Sequence, residues 1–261
     1  MSRIDDTFVR LRAEGRTGLV TYVTAGDPNL TQTAEILLTL DRSGADLLEV
    51  GVPFSDPLAD GPVIQRATER ALAGGTTLAG VLEMLAGVRP HIRAPIVIFS
   101  YANPILRMGL GAFARRAHEV GVDGVLTLDV PPEEAEEWRT AFGTMGIDTI
   151  FLLSPTTADD RIRRAAAIGS GFLYGISRLG VTGARDTVAD SASELAARVR
   201  QATSRPLALG FGVSRPEHVR AIGQYADAAV VGSALVNVIA EHGSEPGLLD
   251  EVERYIRWLR S

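Results

Sequence analysis

The chain has 261 residues and not one cysteine. Disulfides, thiolate nucleophiles and cysteine-ligated metals are therefore excluded. Lysine is missing too, so all 26 basic residues are arginine. A Schiff base needs a side-chain amine, which rules out imine chemistry on a carbonyl substrate or on pyridoxal phosphate. Any aldol-type reaction here must run by acid–base catalysis alone. Histidine is scarce: His91, His118, His218 and His242 are scattered, with no pair at metal-ligand spacing and no sign of a Ser-His-Asp triad. No metal and no cofactor is expected. No apolar run reaches membrane-spanning length. A basic-then-apolar leader is also absent, since Ile4, Phe8 and Leu11 read as one face of a short helix. A cytoplasmic protein without a membrane partner is the expectation. The net charge of −6 argues against nucleic acid.

What the chain does have is alternation. Eight short apolar runs read as strands buried on both faces: 19–23, 47–50, 96–99, 124–128, 149–153, 172–176, 207–209 and 228–231. Helical patterns lie between them. Leu110, Phe113, Ala114, Ala117 and Val120 keep helical spacing. A helix is expected to open at Pro131, where two prolines and two glutamates precede Ala135, Trp138 and Phe142. Residues 191–203 and 215–225 are helical by the same test. Eight such units match a (β/α)8 TIM barrel in length and rhythm. An open doubly wound sheet would carry a glycine fingerprint after its first strand, and Thr24-Ala25-Gly26-Asp27-Pro28 is not one. The expected architecture is one barrel domain over residues 1–261. It has an extra N-terminal helix and an extended crossover after strand two, broken at Gly74-Gly75.

Barrel chemistry sits at the C-terminal ends of the strands. Glu49 falls there, and Asp60 follows on a loop that carries Pro53, Phe54, Pro57, Leu58 and Pro62. An acid closing a buried strand must be solvated, paired or used. On position alone, Glu49 could instead bond backbone amides, and Asp60 could cap the helix that follows. Glycine turns end the late strands: Gly180 to Gly183, Gly210-Phe211-Gly212 and Gly232-Ser233. Together they suit a phosphorylated ligand, with a helix N-terminus after strand eight facing the anion. Ser233 could bond a phosphate oxygen or cap its own helix. Residues 177–189 form a long connection with Arg178 and Arg185, of a length typical of lids. Tyr22, Phe99, Tyr101, Phe151, Tyr174 and Phe211 fall near strand ends, where aromatics either fill the core or line a flat apolar pocket.

These motifs carry a resemblance. The segments 22–28, 48–62, 177–183, 210–212 and 231–234 resemble the tryptophan synthase alpha chain family over nearly the whole chain. The block from Glu49 to Asp60 is its most specific part. The resemblance implies cleavage of indole-3-glycerol phosphate to indole and glyceraldehyde 3-phosphate. It makes Glu49 the general acid–base and Asp60 the carboxylate that engages the indole N–H. Tyr22, Phe99, Tyr174 and Phe211 would line the substrate pocket. Gly183, Gly212, Gly232 and Ser233 would hold phosphate, and Thr182 would close towards Asp60. A pyridoxal-phosphate beta chain is the implied partner, in an α2β2 assembly, through the loops after strands two and six. Thr21 and Gly175 depart from the residues usual in the family and could reshape the pocket. Rival readings are a stand-alone indole-glycerol-phosphate lyase, a catalytically idle barrel that activates its beta chain, and another phosphate-binding barrel such as an isomerase.

Overall fold

Runs of valine, leucine and isoleucine become eight fully parallel strands, because every strand is covered on both faces and β-branched side chains suit that setting. A computed structural model describes the backbone of residues 1–176, 185–243 and 245–261, and the side chains of the same residues except 185–190. The strands are β1 (Gly18–Thr24), β2 (Leu47–Gly51), β3 (Ile96–Ser100) and β4 (Gly124–Thr127). They continue with β5 (Asp148–Leu153), β6 (Leu173–Ile176), β7 (Leu207–Gly210) and β8 (Ala228–Val231). They pair in chain order, and β8 closes on β1, with Leu19 opposite Ala229.

The helices among the described residues begin with α1 (Arg3–Ala13), α2 (Leu30–Ser43), α3 (Pro62–Ala73) and α4 (Leu78–Val88). Next come α5 (Ala102–Met108), α6 (Leu110–Glu119), α7 (Glu136–Gly143) and α8 (Asp159–Ile168). The last are α9 (Arg185–Ala202), α10 (Pro216–Ile222), α11 (Ser233–His242) and α12 (Leu248–Leu259). The crossover after β2 is double, as expected. Helix α3 stops at Gly74, and Gly75, at φ +78°, turns the chain into α4.

Strand parity sorts the core into two shells. The barrel interior holds Val20, Leu47, Val97, Leu126, Ile150, Phe172, Ala208 and Val230. The shell between barrel and helices holds their neighbours, among them Leu19, Leu48, Ile98, Leu173 and Leu209. Helix α1 belongs to the inner shell. Ser2 caps it with a reciprocal capping box, and Ile4, Phe8 and Leu11 enter the N-terminal end of the barrel. The Phe8 ring lies 5.6 Å from that of Phe172.

Two expectations need correction. The helix expected from Pro131 starts at Glu136 instead. Residues 131–134 form a separate turn, closed by the Glu134 N–H donating to the Pro131 carbonyl at 3.0 Å. Proline and acids mark a turn as readily as a helix start. Thr21 and Gly175 do not face the barrel interior. A Cβ on Gly175 would strike Leu209 and Leu195 of the outer shell at 2.4 and 3.1 Å. Thr21, between inward Val20 and Tyr22, faces the helices as well.

Candidate active site

Glu49 lies on β2, opposite Tyr22 of β1 and Val97 of β3. Parity turns it inward, above Leu47. It is 0% exposed, and neither carboxyl oxygen has a hydrogen-bond partner among the described residues. Backbone amides therefore do not account for it. Burial pushes its pKa up to about 8. The Tyr174 hydroxyl acts the other way, although its approach falls short of a hydrogen bond. At neutral pH this carboxyl holds its proton.

Asp60 sits on the loop that leaves β2. Its N–H donates to the Pro57 carbonyl at 3.1 Å, and Gln65 Nε2 donates to its carbonyl at 2.8 Å. The helix that follows has Gly61 at its cap and Pro62 in its first turn, with no side-chain cap. The Asp60 carboxyl is thus not spent on capping. Burial raises its pKa to about 6, against a donor effect from the Tyr101 hydroxyl. The two acids come to lie either side of neutrality, one protonated and one charged.

Three rings frame Glu49. Tyr22 meets Phe99 edge-on at 5.2 Å, and Phe99 lies 6.3 Å from Tyr174. Tyr22 senses both acids: burial first, then the charge of Asp60 and, more weakly, that of Glu49 raise its hydroxyl pKa. Glu49 and Asp60 therefore share one end of the barrel and one aromatic neighbour. The Tyr22 hydroxyl reaches Thr24 Oγ1 at 3.4 Å and is held over Gly51, where a Cβ would collide with it at 2.1 Å. Burial, and next the charge of Glu49, lift Tyr174 well above the usual phenol value, so it stays a neutral donor.

The late strands reach the same end. A Cβ on Gly232 would touch Tyr22 Cβ at 3.8 Å, and one on Gly210 would touch the Tyr174 hydroxyl at 3.2 Å. Gly212, at φ +69°, has open space beside it. Gly232 caps α11, no side chain caps that helix, and Ser233 is exposed in its first turn. First-turn amides of such a helix are free to meet an anion. Ser233 is not spent on capping its own helix. Phe211 is buried, packed with the outer shell, as is Phe151. Thr182 and Gly183 lie outside the described residues, as do Arg178, Gly180 and the side chain of Arg185.

Sequence reasoning placed Tyr101 only among the aromatics near strand ends and gave it no role in the site. Its hydroxyl accepts the Ala59 N–H at 2.9 Å. The spacing of aromatics after β3 was visible, but a contact spanning 42 residues was not. A concavity of about 830 Å³ opens at the opposite, N-terminal end, lined by Arg10, Arg16, Asp46 and Arg260. Asp46 there is paired with arginine, unlike Glu49.

A sequence model of the family described as tryptophan synthase alpha chain matches residues 8–256. The tryptophan synthase alpha chain of Geobacter sp. (strain M21) is 48% identical over 261 residues, covering 100% of this chain and 97% of that one. That of Roseiflexus sp. (strain RS-1) is also 48% identical, over 100% and 99%. Among solved structures, tryptophan synthase subunit alpha from Legionella pneumophila superposes with a TM-score of 0.89 at 37% identity, covering 100% and 97%. A tryptophan synthase complex from Pyrococcus furiosus gives 0.87 at 37% identity, covering 93% and 97%.

Proposed function

This chain belongs to the tryptophan synthase alpha chain family, and we propose that Glu49 and Asp60 share the acid–base work of its lyase reaction. The reaction is retro-aldol cleavage of indole-3-glycerol phosphate to indole and glyceraldehyde 3-phosphate, a step of tryptophan biosynthesis. The carrying observation is Glu49: a carboxyl without a partner among the described residues, buried beside aromatic rings, with its pKa at about 8. Such a group can give a proton at neutral pH.

Glu49 protonates the indole C3 carbon, and positive charge develops on the ring nitrogen. Asp60, ionised above about 6, meets that charge at the N–H. The bond from C3 to the side chain then breaks as the adjacent hydroxyl returns a proton to Glu49. Each acid–base role is worth roughly 10²–10⁴ in rate, about 3–5 kcal/mol. Tyr22, Phe99 and Tyr174 line the indole end, whereas Phe211, expected there, packs in the shell between barrel and helices. Gly212, Gly232 and Ser233, with Gly183, hold phosphate and keep the side chain in line. Thr182 and Gly183 take part in this proposal through the family resemblance alone, since they lie outside the described residues.

A tryptophan synthase beta chain is the partner, in an α2β2 assembly, with exposed Leu58 on the loop after β2 as part of the contact. Among the described residues no single helix is long and apolar enough to cross a membrane. Action in the cytoplasm belongs to the same proposal.

Indole release by the isolated chain is the test. Glu49→Gln and Asp60→Asn should each lose at least about a hundredfold in kcat while still binding a glycerol-phosphate analogue. Near-normal turnover in either variant removes that residue from the mechanism. Adding a cognate beta chain should raise the rate. An unchanged rate on mixing favours the stand-alone lyase.

A further inference from the structure

We propose that Tyr101 is a positioning residue for Asp60, its single hydroxyl holding both the backbone and the carboxylate of the loop that leaves β2. The inference rests on the role given to Asp60 above. Tyr101 follows β3 directly and is only 5% exposed. Its ring packs on Phe54 at 5.0 Å, so it grips the start of the loop as well as its end. A phenol oxygen has lone pairs to accept with and one proton to give. The Ala59 N–H takes a lone pair at 2.9 Å. The proton is left for an acceptor, and the bond to the Ala59 N–H places the hydroxyl one residue from the Asp60 carboxyl, the acceptor we assign to it.

Tyr101 is itself anchored. Ala102 N–H donates to Asp129 Oδ1 at 2.7 Å, and Ser100 Oγ donates to the Tyr101 carbonyl at 2.9 Å. From the other side, Gln65 holds the Asp60 carbonyl. Among the described residues, the titratable groups around this contact are Tyr22 on β1, Glu49 on β2, Asp56 on the same loop and Asp129 after β4. None is a cation. Among the described residues, Tyr101 is the group that draws Asp60 towards its charged form.

Tyr101→Phe keeps the ring on Phe54 and deletes only the hydroxyl. In the full chain, with cognate beta chain present, the acid limb of kcat/KM should move to higher pH. Activity at pH 6 should fall roughly tenfold or more, and activity at pH 8 markedly less, as expected for a lost hydrogen bond to a charged group. A packing role alone would lower the rate evenly across pH or leave it unchanged, and either result overturns the proposal. A carboxyl-carbon NMR titration of Asp60 gives an arm independent of turnover, and the signal should titrate at higher pH in the variant. If Tyr101→Phe does not fold, Asp60→Asn reads the same contact from the other partner. The Tyr101 ring should then titrate at lower pH, and an unmoved ring signal overturns the proposal. A wild-type chain that releases no indole sinks the lyase reading. An unshifted Asp60 signal in an active enzyme sinks the role of Tyr101 alone.

Discussion

Glu49 is shut off from solvent and gains no hydrogen bond from the described residues in exchange. Its folded-state pKa of about 8 stands above the usual glutamate value of 4.5. As pH rises from 4.5, the unfolded chain releases this proton first, so the folded state loses ground. The penalty is absent below 4.5, grows up to about 8 and is constant beyond it. Glu49→Gln should therefore melt higher than wild type at pH 9, by an amount on the order of a few kcal/mol. The gain should vanish at pH 4. Calorimetry at the two pH values checks this, and an equal difference at both would mean that Glu49 is not ionised at a cost to folding. The position of Glu49 was readable in the sequence, because a charge closing an apolar run must be solvated, paired or used. Asp60, on the loop beyond, could instead have been a helix cap and was singled out by the family resemblance. The effect of Thr21 and Gly175 on the pocket was left open although a signal was available: both sit one residue from an inward aromatic, and strand parity turns them away. Tyr101 was beyond reach, because its value lies in one hydrogen bond between distant segments.

At the scale of elements, the N-terminal rim treats its acids in the opposite way. An aspartate precedes β2, β4 and β8, and each accepts an N–H from the first or second residue of a neighbouring strand. Leu19 donates to Asp46 at 2.9 Å, Ile96 to Asp123 at 2.8 Å and Leu207 to Asp227 at 2.8 Å. Arginines close each site. Asp46 takes Arg16 through two bonds and Arg260 besides, Asp123 takes Arg89, and Asp227 takes Arg12 and Arg200. Burial would raise the Asp46 pKa, but Arg16 and Arg260 bring it below the usual carboxylate value. The resulting stability is present above that value, 3.8, and is lost as pH falls through the lower folded-state value. Asp46→Asn should weaken the fold by about 2–3 kcal/mol at pH 7, after allowing for the partial exposure of Arg16. The gap should narrow towards pH 2. Urea unfolding measures both, and an undiminished Asn variant at pH 7 would make this rim incidental. The strands themselves were readable to within a residue or so, since burial on both faces leaves a plain apolar signature. Helix starts were less so: Pro131 and Pro132 shape a turn, and the sequence alone does not separate the two.

Across the whole molecule, one end is built to last and the other to react. Asp46, Asp123 and Asp227, each paired with arginine, stand at the end that α1 fills, while Glu49, with no partner among the described residues, stands at the other. Activity and fold should therefore fail in different pH ranges. The kcat/KM profile should be a bell with half-height points near 6, where Asp60 gains its proton, and near 8, where Glu49 loses its own. Circular dichroism across the same range should stay flat. A rate that tracks the loss of structure would show that the limbs report unfolding. The closed end has a practical use. Val9 stands on α1 with 54% of its surface in solvent, and this chain offers no side-chain amine anywhere else. A Val9→Lys substitution would give amine-coupling reagents a unique side-chain handle, so that molecules tethered through it to a sensor or bead hang by the stopper with their mouths towards the solution.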